Sequence, residues 1–386
     1  MLITADRIHD GRQWLPAGTV IELDDSGMIV ALHPADRSEQ AQYYEGFICP
    51  GFVNAHCHLE LSHMKDLIPT GTGLMQFLKD VIFKRSGFTE AQKAEARHAA
   101  YEELYENGTV AVGDISNAYE TLDIRSRDQM HVYTFVESLG FTPERAQQSF
   151  DNALNVYRQF AAQQAGTKVL RQSIVPHAPY SVSAPLFGLI GAHEPGSLLS
   201  LHNQECPDED QYYIDKQGGV SDLLRTIGID DTAFQPAGKT SLQAYMDWLP
   251  HQRPMLLVHN TFTTAADVQH AQQLNPQVYW CLCPNANEYI EGRLPDIPML
   301  EQAGGTDHIC IGTDSLASNH QLSILSELQT IQQQYPGIGW ETLLQWATSN
   351  GAKALQLDPL IGSIEPGKAP GLVLLATDYS SSRRLY

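Results

Sequence analysis

PGFVNAHCHLELSH, residues 50 to 63, is an apolar run that ends in His56 and His58, with Glu60 and His63 just beyond. Side chains alternate across a strand, so His56 and His58 face one side and Cys57 the other. Two neutral imidazoles on one face can reach a common ion. By itself, however, an H-x-H pair reads equally well as packed or surface histidines on an ordinary strand. What separates the two readings is whether other segments bring polar residues to the same place.

Seven more apolar, β-rich runs follow: TVAVGDIS, HVYTFVES, QSIVPHAP, LLSLHNQE, MLLVHN, VYWCLCPN and HICIGTDS. Between them lie stretches with helical spacing, such as TEAQKAEARHAAYEELYENG, whose Gly108 is placed to end the helix. Eight strands, each leading to a helix, predict a (β/α)8 barrel over residues 48–357. An open doubly wound sheet has the same alternation. Several of the runs end in His, Asp, Asn or Glu, though, and a barrel is the fold that gathers its strand ends on one face. Residues 1–47 and 358–386 are strand-like with Gly and Pro turns, which predicts a small β-sandwich domain formed by both termini. The longest connection, residues 207–238, is dense in acid and reads as a lid or as a solvated surface excursion.

Composition narrows the partners. The chain has 386 residues, 42% of them hydrophobic, and no apolar run of membrane-spanning length. Its start, MLITADRIHD, lacks a basic segment followed by an apolar core, so a cytoplasmic protein is expected. All six cysteines sit in or beside apolar segments, where a reduced thiol packs as a small hydrophobe, and no disulfide is expected. Twenty-four basic against 45 acidic residues give a formal charge of 24 − 45 = −21, which repels phosphate backbones and anionic lipid. A small-molecule substrate remains; nucleic acid and membrane partners do not, and homo-oligomerisation is left open.

The company of the H-x-H pair turns it into a metal signal. His202 ends one run with Glu205 three residues on, His259 ends another, and Asp314 ends the last. Three His and one Asp suit Zn²⁺ or Fe²⁺ and leave a position for water. HLE at 58–60 also matches the H-x-E of zinc nucleobase deaminases, but CLCP at 281–284 is not the P-C-x-x-C that such a site needs, so Cys281 and Cys283 read as core. The fourth run offers His177 and no lysine to bridge two ions, so one divalent ion is expected. Packing is the default for Cys57, and solvent for His63.

In their order and spacing, PGFVNAHCHLE, HNQE, VHN, CPNAN and GTDS resemble the amidohydrolase superfamily, in its branch of cytosine, guanine and S-adenosylhomocysteine deaminases and triazine hydrolases. The resemblance covers nearly the whole chain. It implies that His56, His58, His202 and Asp314 bind the metal, that Glu205 shuttles protons, that His259 contacts the attacking water or the substrate, and that His177 lines the substrate pocket. HLELS and FLKDVIFKR are most similar to the deaminases of 6-aminodeoxyfutalosine. That similarity implies a pocket for an adenine, a sugar and a benzoate, with Arg85, Lys84 and Arg145 as candidates for the carboxylate and Glu60 for the ring or sugar. Phe77, Leu78, Val81 and Ile82 also have the spacing of a helix that simply packs on a barrel.

The function expected is a metal-dependent deaminase that replaces an exocyclic amino group by hydroxyl, with Glu205, His259 and Asp314 as catalytic groups. The alternatives are a hydrolase of an amide, cyclic amide or carbon–halogen bond using the same metal water, and a non-catalytic scaffold.

Overall fold

The computed structural model describes residues 1–386, the side chains of residues 37–39 excepted. Its strands are β1 (Leu2–Ile8), β2 (Val20–Leu23), β3 (Ile29–His33), β4 (Gln42–Pro50), β5 (Phe52–Cys57), β6 (Thr109–Ser116), β7 (His131–Ser138), β8 (Leu170–Pro176), β9 (Leu199–Asn203), β10 (Met255–His259), β11 (Val278–Leu282), β12 (Ile309–Ile311), β13 (Leu372–Leu375) and β14 (Ser382–Arg384).

Strands β5 to β12 are the eight runs read from the sequence. β5-β6-β7-β8 and β9-β10-β11-β12 form two four-stranded parallel sheets. One seam between them is closed by a parallel bridge between Cys57 and Asp314, the other by the His202 amide donating to the His177 carbonyl at 3.0 Å. The result is the α/β barrel. Its strands are buried on both faces, all eight positions of β6 and of β7 included, which is why they read as unbroken apolar runs rather than as an alternation. Helices such as Glu90–Glu106 cover the outside. Thr89 and Gln92 form its capping box, and Gly108, at φ 95°, follows its end in the left-handed conformation that a side chain resists.

The two chain ends meet in one six-stranded sheet, ordered β14-β13-β4-β1-β2-β3, in place of the two packed sheets of the expected sandwich. Ile3, Ile21, Ile29, Ile48 and Leu372 supply its apolar side. β4 runs through Pro50 and Gly51 directly into β5, so the terminal sheet leads straight into the first site-bearing strand. All six cysteines are free and buried, Cys57, Cys281 and Cys283 among them, as their apolar settings require. Among the described residues, no helix is long and apolar enough to cross a membrane.

Candidate active site

The polar strand ends converge. One ligand-capable atom from each of His56, His58, His202 and Asp314 lies within 4.8 Å of the other three, and all four residues are buried. His58 Nε2 is 3.2 Å from His202 Nε2, and Asp314 Oδ1 is 3.5 Å from the Nε2 atoms of both His56 and His58. The last strand reaches His56 this closely because residue 312 is glycine. A Cβ there would meet the His56 carbonyl at 2.8 Å, the His56 Cβ at 2.9 Å and Cys283 Sγ at 3.0 Å.

The far sides of three of the four groups are held. His58 Nδ1 lies 3.0 Å from Glu60 Oε1, His202 Nδ1 donates to the His177 carbonyl at 2.8 Å, and the Ser318 hydroxyl donates to Asp314 Oδ2, leaving Oδ1 to face the imidazoles. Partners of this kind fix ring orientation and tautomer. The backbone is also forced. Gln204, His259, Asn260 and Asp314 all have φ between 44° and 73°, a region that costs a residue with a side chain of order 1–3 kcal/mol. Buried amides hold it there. Asn260 Nδ2 donates to the Leu257 and Cys281 carbonyls, Asn203 Nδ2 donates to Asn260 Oδ1 at 3.0 Å, and Tyr245 donates to Asn203 Oδ1 at 2.7 Å.

The four groups fit a cation. Both ring nitrogens of His56 are buried without a hydrogen-bond partner, a state that is costly unless something charged or polar meets them. The facing Nε2 atoms of His58 and His202 need either a proton or a shared positive centre between them. Spacings of 3.2–3.5 Å suit atoms about 2.0–2.1 Å from one tetrahedral centre, which subtend about 3.3 Å. Three imidazoles and one carboxylate can therefore hold one divalent ion.

Glu205 and His259 stand beside this group, with His259 Nε2 3.6 Å from Glu205 Oε1. Burial, then the neighbouring Asp314 charge, pushes Glu205 well above the usual carboxylate range. Burial lowers His259 to about 3, so its ring is neutral. Asn287 Nδ2 donates to His259 Nδ1 at 3.2 Å, which leaves the proton on Nε2, facing Glu205. Burial alone would raise Asp314 too, but His56, His58 and His259 overcome that effect and hold it ionised.

A cavity of about 460 Å³ opens over these residues. His177, Glu60 and Arg85, expected around a substrate, all line it, and so does Arg145. Arg145 is exposed and Arg85 half-buried, and neither guanidinium has a carboxylate partner among the described residues. Lys84 is different: it pairs with Asp80 at 3.1 Å and lies outside the cavity wall. The helix Leu74–Lys84 packs Leu74, Phe77 and Val81 inward, while Leu78 and Ile82 join them along the cavity. Residues 207–238 are not a solvated excursion. They form helices Pro207–Asp215 and Val220–Thr226, and Leu223, Leu224, Ile227 and Ile229 line the cavity alongside Leu74–Lys84, where Lys79 pairs with Asp222 at 3.6 Å. His63, expected in solvent, is half-buried instead, edge-on to Phe88 and bonded to the Arg85 carbonyl at 3.2 Å.

Sequence reasoning missed Glu137, Asn117, Ser318 and Asn287. Glu137 is nearly fully buried at the end of β7, accepts from Asn117 Nδ2 at 2.7 Å, and lies with His177 and His202 in a second group whose ligand-capable atoms are within 4.8 Å. Its signal was present, because HVYTFVES ends in a carboxylate just as HICIGTDS does.

An eight-stranded α/β barrel with a His/His/His/Asp cluster at its strand ends is the architecture of a barrel metallohydrolase. The model of the Amidohydrolase family matches residues 47–384, and the chain belongs to that family. It is 27% identical over 378 residues to an aminodeoxyfutalosine deaminase of Deinococcus radiodurans, covering 92% of this chain and 85% of that one. It is 26% identical over 361 residues to an adenosine deaminase of Helicobacter pylori, covering 92% and 84%. In fold it is similar to the crystal structure of the Helicobacter pylori aminofutalosine deaminase in complex with methylthio-coformycin, with a TM-score of 0.81 at 22% identity over 97% of this chain and 92% of that one.

Proposed function

We propose that the chain is a metal-dependent aminohydrolase that replaces an exocyclic amino group of a purine-like heterocycle by hydroxyl and releases ammonia. The observation that carries this reading is the placement of Glu205, with its raised affinity for a proton, beside the His56/His58/His202/Asp314 cluster on the floor of one cavity. A divalent ion on those four residues, with zinc the ion best suited to three imidazoles and a carboxylate, supplies Lewis acidity that brings the pKa of a bound water from 15.7 to about 7. Glu205 takes the first proton that the water loses. Glu205 passes it to the ring nitrogen next to the amino-bearing carbon as the new C–O bond forms. His259, with its proton on Nε2, donates to the developing charge. The second proton of the attacking water, leaving the new hydroxyl by way of Asp314, reaches the amino nitrogen and lets the C–N bond break, so that amine and water become hydroxyl and ammonia.

The two arginines that line the cavity without a carboxylate partner support a substrate that carries an anionic group. A planar guanidinium matches a carboxylate in two hydrogen bonds. Among single compounds we place 6-aminodeoxyfutalosine first, with its adenine toward Glu205 and its benzoate toward Arg85 and Arg145. The relatives are deaminases by name, which favours this reading over an amide or carbon–halogen hydrolase. A complete ligand set disfavours a scaffold. For the domains, we take residues 48–357 as the catalytic barrel and 1–47 with 358–386 as the small β unit. Zinc-loaded protein should release ammonia from 6-aminodeoxyfutalosine with a higher kcat/KM than from adenosine, S-adenosylhomocysteine or guanine. No ammonia from any aminopurine would end the deaminase reading, and a preference for adenosine or guanine would end the benzoate assignment alone.

A further inference from the structure

Two carboxylate oxygens on the cavity wall are buried with nothing to accept. Glu60 gives Oε1 to His58 and leaves Oε2 buried and unpartnered. Glu137 gives Oε2 to Asn117 and leaves Oε1 buried and unpartnered. His177 Nδ1 lies 2.8 Å from Ser181 Oγ. The Ser181 hydroxyl has one proton and donates it to the Ala178 carbonyl at 3.0 Å. With that proton on Ala178, His177 donates from Nδ1 and its Nε2 is free to accept. A carboxylate oxygen buried without a partner costs far more than an exposed one, and here a carboxylate oxygen of Glu137 and an imidazole nitrogen of His177 lie within 4.8 Å of each other on one wall.

Orienting His202 does not account for Glu137. Its Oε1 is 3.4 Å from His202 Nδ1, but the proton on that nitrogen already goes to the His177 carbonyl at 2.8 Å, so tautomer and ring angle are set without the carboxylate. What remains is a ligand with hydrogen-bond donors. We propose that Glu137, held by Asn117, is a specificity-determining residue that accepts a hydrogen bond from a substrate hydroxyl, with His177 accepting from the adjacent hydroxyl. The site is thereby fitted to a heterocycle carrying a vicinal diol, such as a ribosyl group, rather than to a free base. This rests on the aminohydrolase reading and adds to it the residue that selects the sugar.

The experiment compares native protein with Glu137→Gln, which keeps the size and the Asn117 contact but loses the second acceptor. Substrates are adenosine and 2′,3′-dideoxyadenosine, and zinc content is measured in both proteins. The expected result is a fall of roughly 10- to 100-fold in kcat/KM for adenosine, the value of one hydrogen bond to a charged group. Dideoxyadenosine should be turned over poorly by native protein and no worse by the variant, with zinc unchanged at about one per chain. An equal loss on both nucleosides would overturn the proposal, since the carboxylate would then serve the fold or the chemistry. So would zinc loss in Glu137→Gln, which would make Glu137 a support of His202, or a second zinc bound by native protein and absent from the variant. If native protein turns over neither nucleoside, the same pair is compared by equilibrium binding. A tenfold preference for the diol that disappears in Glu137→Gln would uphold the assignment although the deaminase reading had failed, and no preference would overturn it.

Discussion

Replacing Gly312 by Ala tests how the last strand is built against the first. The added Cβ would lie 2.8 Å from the His56 carbonyl oxygen, 2.9 Å from the His56 Cβ and 3.0 Å from Cys283 Sγ. Ordinary contact begins near 3.4 Å, so two strands must part by about half an ångström at the residue that opens the metal cluster. Overpacking of this kind costs about 1–3 kcal/mol. At about 2.1 cal/mol/K per residue over 386 residues, that corresponds to a fall of about 1–4 °C in Tm. The chemical loss should be larger than the thermal one. Asp314 Oδ1 sits 3.5 Å from His56 Nε2, and a shift of half an ångström there opens the cluster on one side. A misplacement of 1 Å can cost about 100-fold in rate, so a loss of roughly 10-fold in kcat/KM is expected, together with weaker zinc retention against a chelator. Gly188→Ala is the control: its Cβ would meet nothing within 4 Å, and within helix Ala184–Ala192 it should stabilise by about 0.5–1 kcal/mol and leave kinetics alone. The assays are calorimetry, zinc retention and steady-state kinetics on both variants. Native zinc retention and native kcat/KM in Gly312→Ala would refute the claim that this contact sets the position of His56.

Other consequences follow from the same geometry. Glu205→Gln should keep its zinc and lose roughly 10²- to 10⁴-fold in kcat, read by ammonia release; near-native turnover would move the proton shuttle to another group, Glu60 first. Arg85→Ala with Arg145→Ala should raise KM for a carboxylate-bearing nucleoside roughly 10- to 100-fold and leave adenosine unaffected; equal effects on both would remove the arginines from recognition. Burial lowers His9 and His131 to about 4 each. A folded-state pKa below the unfolded value of about 6.5 means that stability is complete above pH 6.5 and is lost as pH falls from there toward 4, by up to about 3 kcal/mol per residue. Urea titrations at pH 7 and pH 5 should show this loss, and His131→Asn, whose carbonyl can still accept from the Val169 amide as Nδ1 now does at 3.0 Å, should recover part of it. An unchanged pH slope in His131→Asn would assign the acid sensitivity elsewhere.

The barrel was legible because parallel strands buried on both sides leave apolar runs that end abruptly in polar residues. His56, His202, His259 and Asp314 stood at such ends and could be found without knowing which strands were neighbours. Lateral relations were not legible in this way. Gly312 matters through its distance from His56, 256 positions earlier in the chain, and Ser318 matters because a loop folds back onto Asp314. Neither has a periodicity to betray it. The expected β-sandwich failed for a related reason: alternation shows that a strand has an apolar face, not whether a second sheet or a loop covers it, and here β4 and β13 pair in the same sheet. His63 is locally polar and reads as solvent-facing, whereas its ring is covered by Phe88, twenty-five residues on.

Glu137 is the instructive omission, because its strand was identified and its position at the strand end was visible. In sequence, a carboxylate outside any ligand motif has the signature of a solvated strand end. Burial reverses that inference. In water an unpaired carboxylate oxygen is ordinary; inside a cavity wall it is tolerable only if a donor arrives. Glu60 meets the same condition, and both carboxylates line the cavity beside the cluster rather than within it. The strand ends thus divide their labour by what meets each lone pair. Those facing one another call for a cation, and those left without a donor on the cavity wall call for a substrate rich in donors. A flat, halogenated ring offers few donors, while a nucleoside offers its hydroxyls, so the unsatisfied acceptors favour the deaminase reading on grounds independent of the metal cluster.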